Sequence, residues 1–270
     1  MIIGKAISPF ALRKKNGGGG GGTDPDAQLF ITATGISGTN ATATNQLVLD
    51  LKSANIWSKM KCIYPFVGNT SATQKYNLKD ARDLDAAYRL VFSGGGTHSA
   101  NGYQPNGVNS YANTFLSSSI MALNSGHLSY YSRTNNTTSA IDMGSLKATP
   151  DSYSDLVLYY GFTYFRFNNG ATYNSTPTTN TLGYFIGSRT ASNVIKTYKN
   201  GATIINGIAA SNTTSTIPFY IGAVNNTGTA QYFSNRECAF ATIGDGLTDA
   251  EALAFYNAVQ LFNTTLARQV

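Results

Sequence analysis

Hydrophobic residues near both ends of the patterned part of the chain recur at helical spacing. In residues 45–60, Leu47 and Leu51 lie one turn apart, which predicts a helix there. Thr248 and Glu251 form a capping box, which predicts the start of a C-terminal helix. One face of that helix is apolar and is expected to pack against a sheet. Its members are Phe255, Val259, Phe262 and Leu266.

Between these helices, aromatic and apolar residues occur in short runs that Gly and Asn interrupt. The strongest run is 155–167, which predicts a β segment. Asn-Gly dipeptides favour two-residue hairpins and predict turns at 168–170, 200–201 and 206–207. This pattern predicts an all-β fold, a β-sandwich of two antiparallel sheets with a helix at each end of the domain.

The composition supports a β-rich protein and excludes several other classes. Only 12% of the residues are charged, while Thr, Asn and Ser supply most of the polar side chains and Gly and aromatic residues are abundant. This argues against a helical bundle, a coiled coil and a disordered charged tail as the main structure. No apolar run is long enough for a membrane-spanning helix, so no membrane partner is expected.

The net charge of +6 is concentrated at the N-terminus, because the first 22 residues contain four bases and no acid. A flexible linker of six glycines, residues 17–22, follows a short apolar and basic peptide and can reach about 20 Å. We therefore divide the chain into a tail with linker, 1–22, and a globular domain, 23–270. The tail is expected either to dock on an acidic partner or to remain a solvated charge run. The expected docking residues are Ile2, Ile3, Lys5, Phe10, Arg13, Lys14 and Lys15. Nucleic acid is not an expected partner, since the folded part is nearly neutral.

The two cysteines, Cys62 and Cys238, are too few for a disulfide framework and too far apart for a metal motif. Both lie in strand-like contexts, so buried free thiols are expected. The N-terminal apolar run is too short for a secretory signal. The sequence thus predicts synthesis in a reducing cytoplasm, with no metal site and no cofactor.

No arrangement of residues in the sequence indicates a catalytic site. The best acid pair is Asp83 and Asp85, which would share one face of a strand. Because Lys79 and Arg82 flank the pair, a surface ion-pair cluster is the favoured interpretation and a cation site is weaker. The two histidines lack a nucleophile motif and are expected to have ordinary hydrogen-bonding roles.

The loop 94–113 is the candidate binding surface, because it combines tyrosines with Asn, Gln and Ser. Tyr103 and Tyr111 would offer ring faces to a sugar, and Asn106 and Asn109 would offer amides to its hydroxyls. The alternative is an ordinary Gly- and Asn-rich surface loop.

Several motifs together resemble a class of bacteriophage virion proteins with concanavalin A-like, laminin G-like jelly-roll domains. The resemblance covers residues 29–270 and implies that fold and a position on the virion surface. The motifs are IWSKM (56–60), CIYPFVG (62–68), YNLKD (76–80), DLDAAYRL (83–90), PNG (105–107), LSYYSR (128–133) and GDGLTDAEA (244–252). The laminarinase-type branch of that superfamily uses an E-x-D-x-x-E strand, which this chain lacks. The resemblance therefore implies binding without hydrolysis.

The function expected from the sequence is that of a non-enzymatic phage fibre or decoration protein, made in the host cytoplasm. Its tail would dock on capsid or tail proteins, and its sandwich would present a surface to a host glycan. A homotrimer tied together at its N-termini is expected, because several weak anchors together give lasting attachment. The alternatives are a monomer, a polysaccharide depolymerase acting through Asp83 and Asp85, and a secreted bacterial lectin, which the missing signal peptide disfavours.

Overall fold

The computed structural model describes residues 22–270. Except for Gly22, the predicted tail and all seven expected docking residues lie outside the described residues. The helices are α1 Pro25–Thr34, α2 Gly38–Ser53, α3 Ser71–Gln74 and α4 Asp249–Thr265, and short 3₁₀ turns occur at Trp57–Lys59, Asp85–Ala87 and Ser118–Ile120.

Seventeen strands account for most of the remaining regular structure within residues 22–270. They are β1 Met60–Tyr64, β2 Val91–Ser93, β3 Thr97–Ser99, β4 Gly102–Gln104, β5 Tyr111–Ser117, β6 Gly126–Ser132, β7 Met143–Ala148, β8 Asp151–Val157, β9 Phe162–Asn169, β10 Asn174–Pro177, β11 Gly183–Ala191, β12 Val194–Lys199, β13 Ala202–Ile208, β14 Pro218–Ile221, β15 Val224–Asn226, β16 Thr229–Gln231 and β17 Cys238–Gly244.

The strands form two sheets that pack face to face as a β-sandwich. One sheet has eight strands in the order β13-β12-β11-β6-β17-β4-β3, with β1 also paired to β17. The other has nine strands in the order β10-β9-β8-β7-β14-β5-β2, with β15 and β16 beside β7. All pairs are antiparallel except the short β7–β15 pair. The predicted fold class, an all-β antiparallel sandwich, is confirmed.

The interior of the sandwich follows the two-residue period of a strand. In β6, Tyr130 points between the sheets while its neighbour Tyr131 points to the opposite face. In β9, Phe165 and Phe167 point inward from the nine-stranded sheet. Cys62 and Cys238 are both free thiols and both are buried, as predicted.

A layer of helices covers the outer face of the eight-stranded sheet, which we call the covered sheet. The apolar face of α4 packs on that sheet, where Phe255 contacts Tyr184 and Phe240 with ring centroids 5.6 and 6.3 Å apart. Helices α1 and α2 complete the layer. The predicted capping box of α4 is present, since Thr248 and Glu251 each accept a hydrogen bond from the other's backbone N–H. No helix within residues 22–270 has both the length and the apolar character needed to span a bilayer.

The nine-stranded sheet has no helix on its outer face among the described residues, and we call it the open sheet. A small cluster of half-exposed and buried side chains lies there instead. Its buried members are Ile141, Val157, Tyr164 and Val224.

Several local predictions differ from the structure. The helix expected over 45–60 begins earlier, at Gly38, and ends at Ser53. The last four residues of the predicted range, 57–60, form a 3₁₀ turn and the start of strand β1. The segment 155–167 comprises parts of two strands, because Gly161, with a φ of 79°, turns the chain between β8 and β9. The dipeptide at 206–207 lies inside β13 and makes no turn.

Of the hairpin signals, only the one at Asn200 and Gly201 makes a two-residue turn. Their φ values of 50° and 78° fit a type I′ turn, and it joins β12 to β13. At the 168–170 signal, β9 continues to Asn169, whose side-chain oxygen accepts hydrogen bonds from the Phe167 backbone and from Arg189. Buried Arg189 thus holds that amide in place, and the chain reaches β10 only at Asn174.

Candidate functional site

The outer face of the open sheet carries a row of residues that strand register brings together. Arg166 of β9 lies opposite Asp155 of β8, and Asp155 lies opposite Gly144 of β7. Gly144 in turn lies opposite Tyr220 of β14. Because side chains alternate along each strand, these residues project from the same face of the sheet.

Arg166 and Asp155 form a bidentate ion pair at the centre of this row. Arg166 Nε donates to Asp155 Oδ1 at 2.8 Å, and Nη2 donates to Oδ2 at 2.5 Å. Burial disfavours the charge on Arg166, but the Asp155 carboxylate outweighs it and raises the pKa of the guanidinium. The guanidinium therefore carries its positive charge at neutral pH.

Gly144 leaves the room that this ion pair needs. A Cβ atom added to Gly144 would lie 2.6 Å from the Cβ of Asp155, closer than real Cβ contacts allow. A side chain at this position would therefore displace the Asp155 carboxylate.

Tyrosine rings surround the guanidinium of Arg166. Its central carbon lies 4.7 Å from the ring centroid of Tyr153, 5.4 Å from that of Tyr164 and 5.8 Å from that of Tyr173. A cation against aromatic faces is attracted by the negative charge density of the rings. This packing fixes the position of the arginine side chain.

A pocket of about 220 Å³ opens beside Arg166, and we call it the tyrosine pocket. It is lined by Ile141, Leu146, Tyr160, Tyr164, Arg166 and Tyr232. Its volume corresponds to about seven water molecules, which is below the range for drug-sized ligands and suits one small ring.

Tyr160 and Tyr232 form a corner at the rim of the tyrosine pocket. They are 43% and 49% exposed, and their rings meet nearly at right angles with centroids 6.4 Å apart. A ligand entering the corner could place one face on the first ring and an edge against the second.

Buried hydrogen bonds hold the wall of the pocket that Ile141 and Tyr232 form. The Ile141 backbone N–H donates to the Tyr232 carbonyl at 2.9 Å. The neighbouring Asp142 carboxylate accepts from Ser234 and from the fully buried Arg236. This second ion pair ties together the two chain segments that carry the wall.

Polar atoms of the pocket lining remain for a ligand. Arg166 Nη1 and the Tyr164 hydroxyl have no hydrogen-bond partner within residues 22–270, while Nε and Nη2 of the arginine are used by Asp155. The pocket thus offers hydrogen bonds beside exposed aromatic faces.

One of the four residues predicted for glycan binding, Tyr103, does not lie on the surface. Tyr103 is fully buried between the sheets, where it stacks on Phe66, so the prediction that a turn presents its ring is wrong. The reason is local pairing: the segment folds back as the β3–β4 hairpin beside β17, and strand alternation turns Tyr103 inward.

Asn106 and Asn109 lie on an exposed turn, but their side chains stabilise that turn. The Asn106 side-chain oxygen accepts from three successive backbone N–H groups, those of residues 108–110, and its nitrogen donates to Asn109 Oδ1. Tyr111 belongs to β5 on the outer face of the open sheet and stacks on Tyr220 at 4.4 Å. Whether these three residues touch a ligand stays a prediction.

Asp83 and Asp85 lie in a loop and a 3₁₀ turn on the surface, so the expectation that they share a strand face is wrong. The predicted ion-pair cluster is present, but its bases are Lys75 and Arg89. Hydrogen bonds from Lys75 and Arg89 hold the pKa of Asp83 below its usual value. A general acid needs a raised pKa, so Asp83 does not suit that role in a depolymerase.

Both histidines have hydrogen-bonding roles, as predicted. His98 Nδ1 lies 2.7 Å from Gln74 Oε1, and His127 bridges the Asp245 carbonyl and the Thr242 hydroxyl. Within residues 22–270, no group of three or more His, Cys, Asp or Glu side chains is arranged to hold a metal ion.

A larger groove of about 770 Å³ lies between α1 and the segment 78–82. Its floor is apolar, with Leu29, Ala33, Leu78 and Ala81, and Leu29 is 67% exposed. The charged groups at its rim pair with one another or with nearby residues, as Asp80 does with Arg82. This groove lacks the combination of ring faces and unpaired donors found in the tyrosine pocket.

Sequence reasoning missed the tyrosine pocket. One available signal was the alternation of Tyr164 and Arg166 in β9, which puts both on one face, and Tyr153 and Asp155 repeat that spacing in β8. Their juxtaposition depends on the register between the strands, which local sequence does not reveal.

Neither a protein-family model nor a curated protein sequence matches the chain. Among solved structures, a mutant of Trypanosoma rangeli sialidase displaying trans-sialidase activity matches with a TM-score of 0.50 and 11% identity. The match covers 82% of this chain and 39% of the sialidase chain. At this identity the similarity shows the fold alone, a β-sandwich.

Two further structures match with lower scores. Domain 4 of AbnA, a GH43 extracellular arabinanase from Geobacillus stearothermophilus in complex with arabinotriose, has a TM-score of 0.48 and 14% identity, over 73% of this chain and 98% of that one. A structure of botulinum neurotoxin type C, whose cell entry is described as dependent upon interaction with two ganglioside molecules, also matches. Its TM-score is 0.49 at 13% identity, and the match covers 77% of this chain and 53% of that one.

Proposed function

We propose that this protein is a non-enzymatic structural protein of a bacteriophage virion that presents a glycan-binding β-sandwich to the host. The observation that carries the binding half of the proposal is the tyrosine pocket, where exposed rings and unpaired hydrogen-bond donors converge on the open sheet. Sugars have apolar C–H faces and many hydroxyls, so they bind where aromatic faces and polar groups lie side by side.

The wider context agrees with this proposal. The β-sandwich fold is shared with a sialidase. The sequence motifs resemble those of phage virion proteins with jelly-roll domains, and a surface of low charge suits a protein displayed in many copies.

The test of glycan binding is a glycan array followed by titration calorimetry on the best ligand. Tyr160→Ala and Tyr232→Ala should each weaken binding by about fivefold or more, because each removes a ring face worth roughly 1 kcal/mol. Ile208→Ala, which alters an apolar side chain 78% exposed on β13, is the matched control and should bind normally. Absence of binding to any glycan, or equal loss in the control, would contradict the proposed site.

The virion half of the proposal assigns attachment to the tail. A protein lacking residues 1–22 should keep the circular dichroism of the intact domain but fail to associate with phage particles. The full chain should run as a trimer in light scattering, whereas the truncated chain should be monomeric. Normal incorporation of the truncated protein into virions would show that the tail is not the anchor.

A further inference from the structure

We propose that the tyrosine pocket selects uncharged sugars and discriminates against sugars that carry a carboxylate. This inference rests on the proposed glycan-binding function and names the class of ligand for that site.

The arginine in the pocket is not available as an isolated positive charge. Asp155 occupies the Nε and Nη2 edge of Arg166, which is the pair of donors that matches a carboxylate best. The Asp155 side chain is fully buried, so its negative charge faces the guanidinium without screening by water. A ligand carboxylate at Nη1 would therefore meet a cation whose field is largely cancelled.

No other positive charge in the pocket replaces the field of Arg166 that Asp155 cancels. Of the residues that line the pocket, Arg166 alone is charged, and the rest are Ile, Leu and Tyr. Behind the wall, the charges of Arg236 and Asp142 cancel in a second, fully buried pair. The surroundings of the pocket are thus electrically neutral.

Neutral surroundings penalise an ionised ligand. A carboxylate that enters the pocket loses its hydration. Contacts with the apolar and aromatic walls offset little of that desolvation cost. A hydroxyl loses less on leaving water, and it can accept a hydrogen bond from Arg166 Nη1 while the sugar ring lies against Tyr160 or Tyr232. The pocket therefore favours a hexose over the corresponding uronic acid.

The experiment compares matched pairs of sugars by titration calorimetry on the full chain. Glucose and glucuronate, and galactose and galacturonate, differ at C6 alone, and each is tested free and as the terminal unit of an oligosaccharide. We expect the neutral member to bind at least about tenfold tighter. Its affinity should be nearly independent of salt concentration, since no net charge is neutralised.

The variant Asp155→Asn sharpens the test, because it removes the negative charge and keeps the shape. In a protein whose circular dichroism shows that it is folded, binding of the acidic member should improve by about tenfold relative to the neutral member and become salt-dependent. If this variant does not fold, the comparison of the paired sugars on the unaltered protein decides alone.

The outcomes separate the two proposals. An acidic member that binds as tightly as its neutral partner overturns the selectivity and leaves glycan binding intact. A folded Asp155→Asn protein with no gain for acidic sugars also overturns it. If no sugar of either kind binds, the proposed glycan-binding function fails and the selectivity fails with it.

Discussion

The outer faces of the two sheets are both rich in aromatic residues, yet only one is covered. On the covered sheet, Tyr184 and Phe240 pack edge-on against Phe255 of α4, and the Tyr184 hydroxyl donates to Ser129. On the open sheet, Tyr160 and Tyr232 remain about half exposed at the rim of a pocket that Arg166 of the buried ion pair also lines. The same residue type therefore stabilises the fold on one face and forms a candidate binding site on the other.

The difference lies in how the polar atoms of each face are used. On the covered face, burial under helices requires that hydroxyl and imidazole groups find partners within the protein. The open face keeps unpaired donors at Arg166 and Tyr164 that only a solvent-accessible site can tolerate. We expect changes on the first face to alter stability and changes on the second to alter binding.

The largest effect is expected from Phe255→Ala, at the centre of the covered face. Removing this fully buried ring should lower the free energy of unfolding by about 3–5 kcal/mol, because it leaves a cavity between α4 and the sheet. Leu253→Ala on the same helix is the control, since that side chain is 48% exposed and should cost less than about 0.5 kcal/mol. Urea denaturation followed by circular dichroism measures both. Equal effects of the two changes would mean that the helix layer does not stabilise the sandwich.

A pH effect of intermediate size is expected from His127, which lies beneath α4. Burial lowers its pKa to about 4, although the hydrogen bond to the Asp245 carbonyl opposes the shift. Between pH 6.5 and 4 the unfolded chain binds this proton and the folded protein does not, so stability falls as the pH falls through that window. The loss should approach about 3 kcal/mol, measured by denaturation at each pH.

The matched variant for this effect is His127→Gln, which can still donate to Asp245 and accept from Thr242. Its stability should depend less steeply on pH between 6.5 and 4 than that of the unaltered protein. Identical pH profiles would assign the acid sensitivity to carboxylates elsewhere.

The smallest effect on stability is expected on the open face. Tyr160→Ala and Tyr232→Ala should each change the free energy of unfolding by less than about 1 kcal/mol, because both rings are about half exposed. Thermal unfolding of these variants, run beside Phe255→Ala, tests the comparison directly. A large destabilisation by either change would mean that the open face is part of the core. A loss of glycan affinity in that variant would then result from unfolding.

Elements with a strong local signal were predictable from the sequence. The capping box at Thr248 and the apolar face of α4 are set by residues three and four positions apart, and the turn at Asn200 and Gly201 needs only two residues with positive φ. The sandwich class follows from many such short elements, and free buried cysteines follow from their strand contexts. These features depend on neighbours in the chain.

Features that depend on contacts between distant segments were decided by the tertiary structure. Tyr103 has the sequence context of a surface turn, but pairing with β17, more than 130 residues away, places it in the core. The tyrosine pocket combines Tyr160, Arg166 and Tyr232 from separate segments, and the register between β8 and β9 sets the Arg166–Asp155 pair. A shift of register by one residue would turn every side chain of a strand to the other face of the sheet. The sequence of a single strand does not specify which strand it pairs with or in which register, so these features could not be predicted from it.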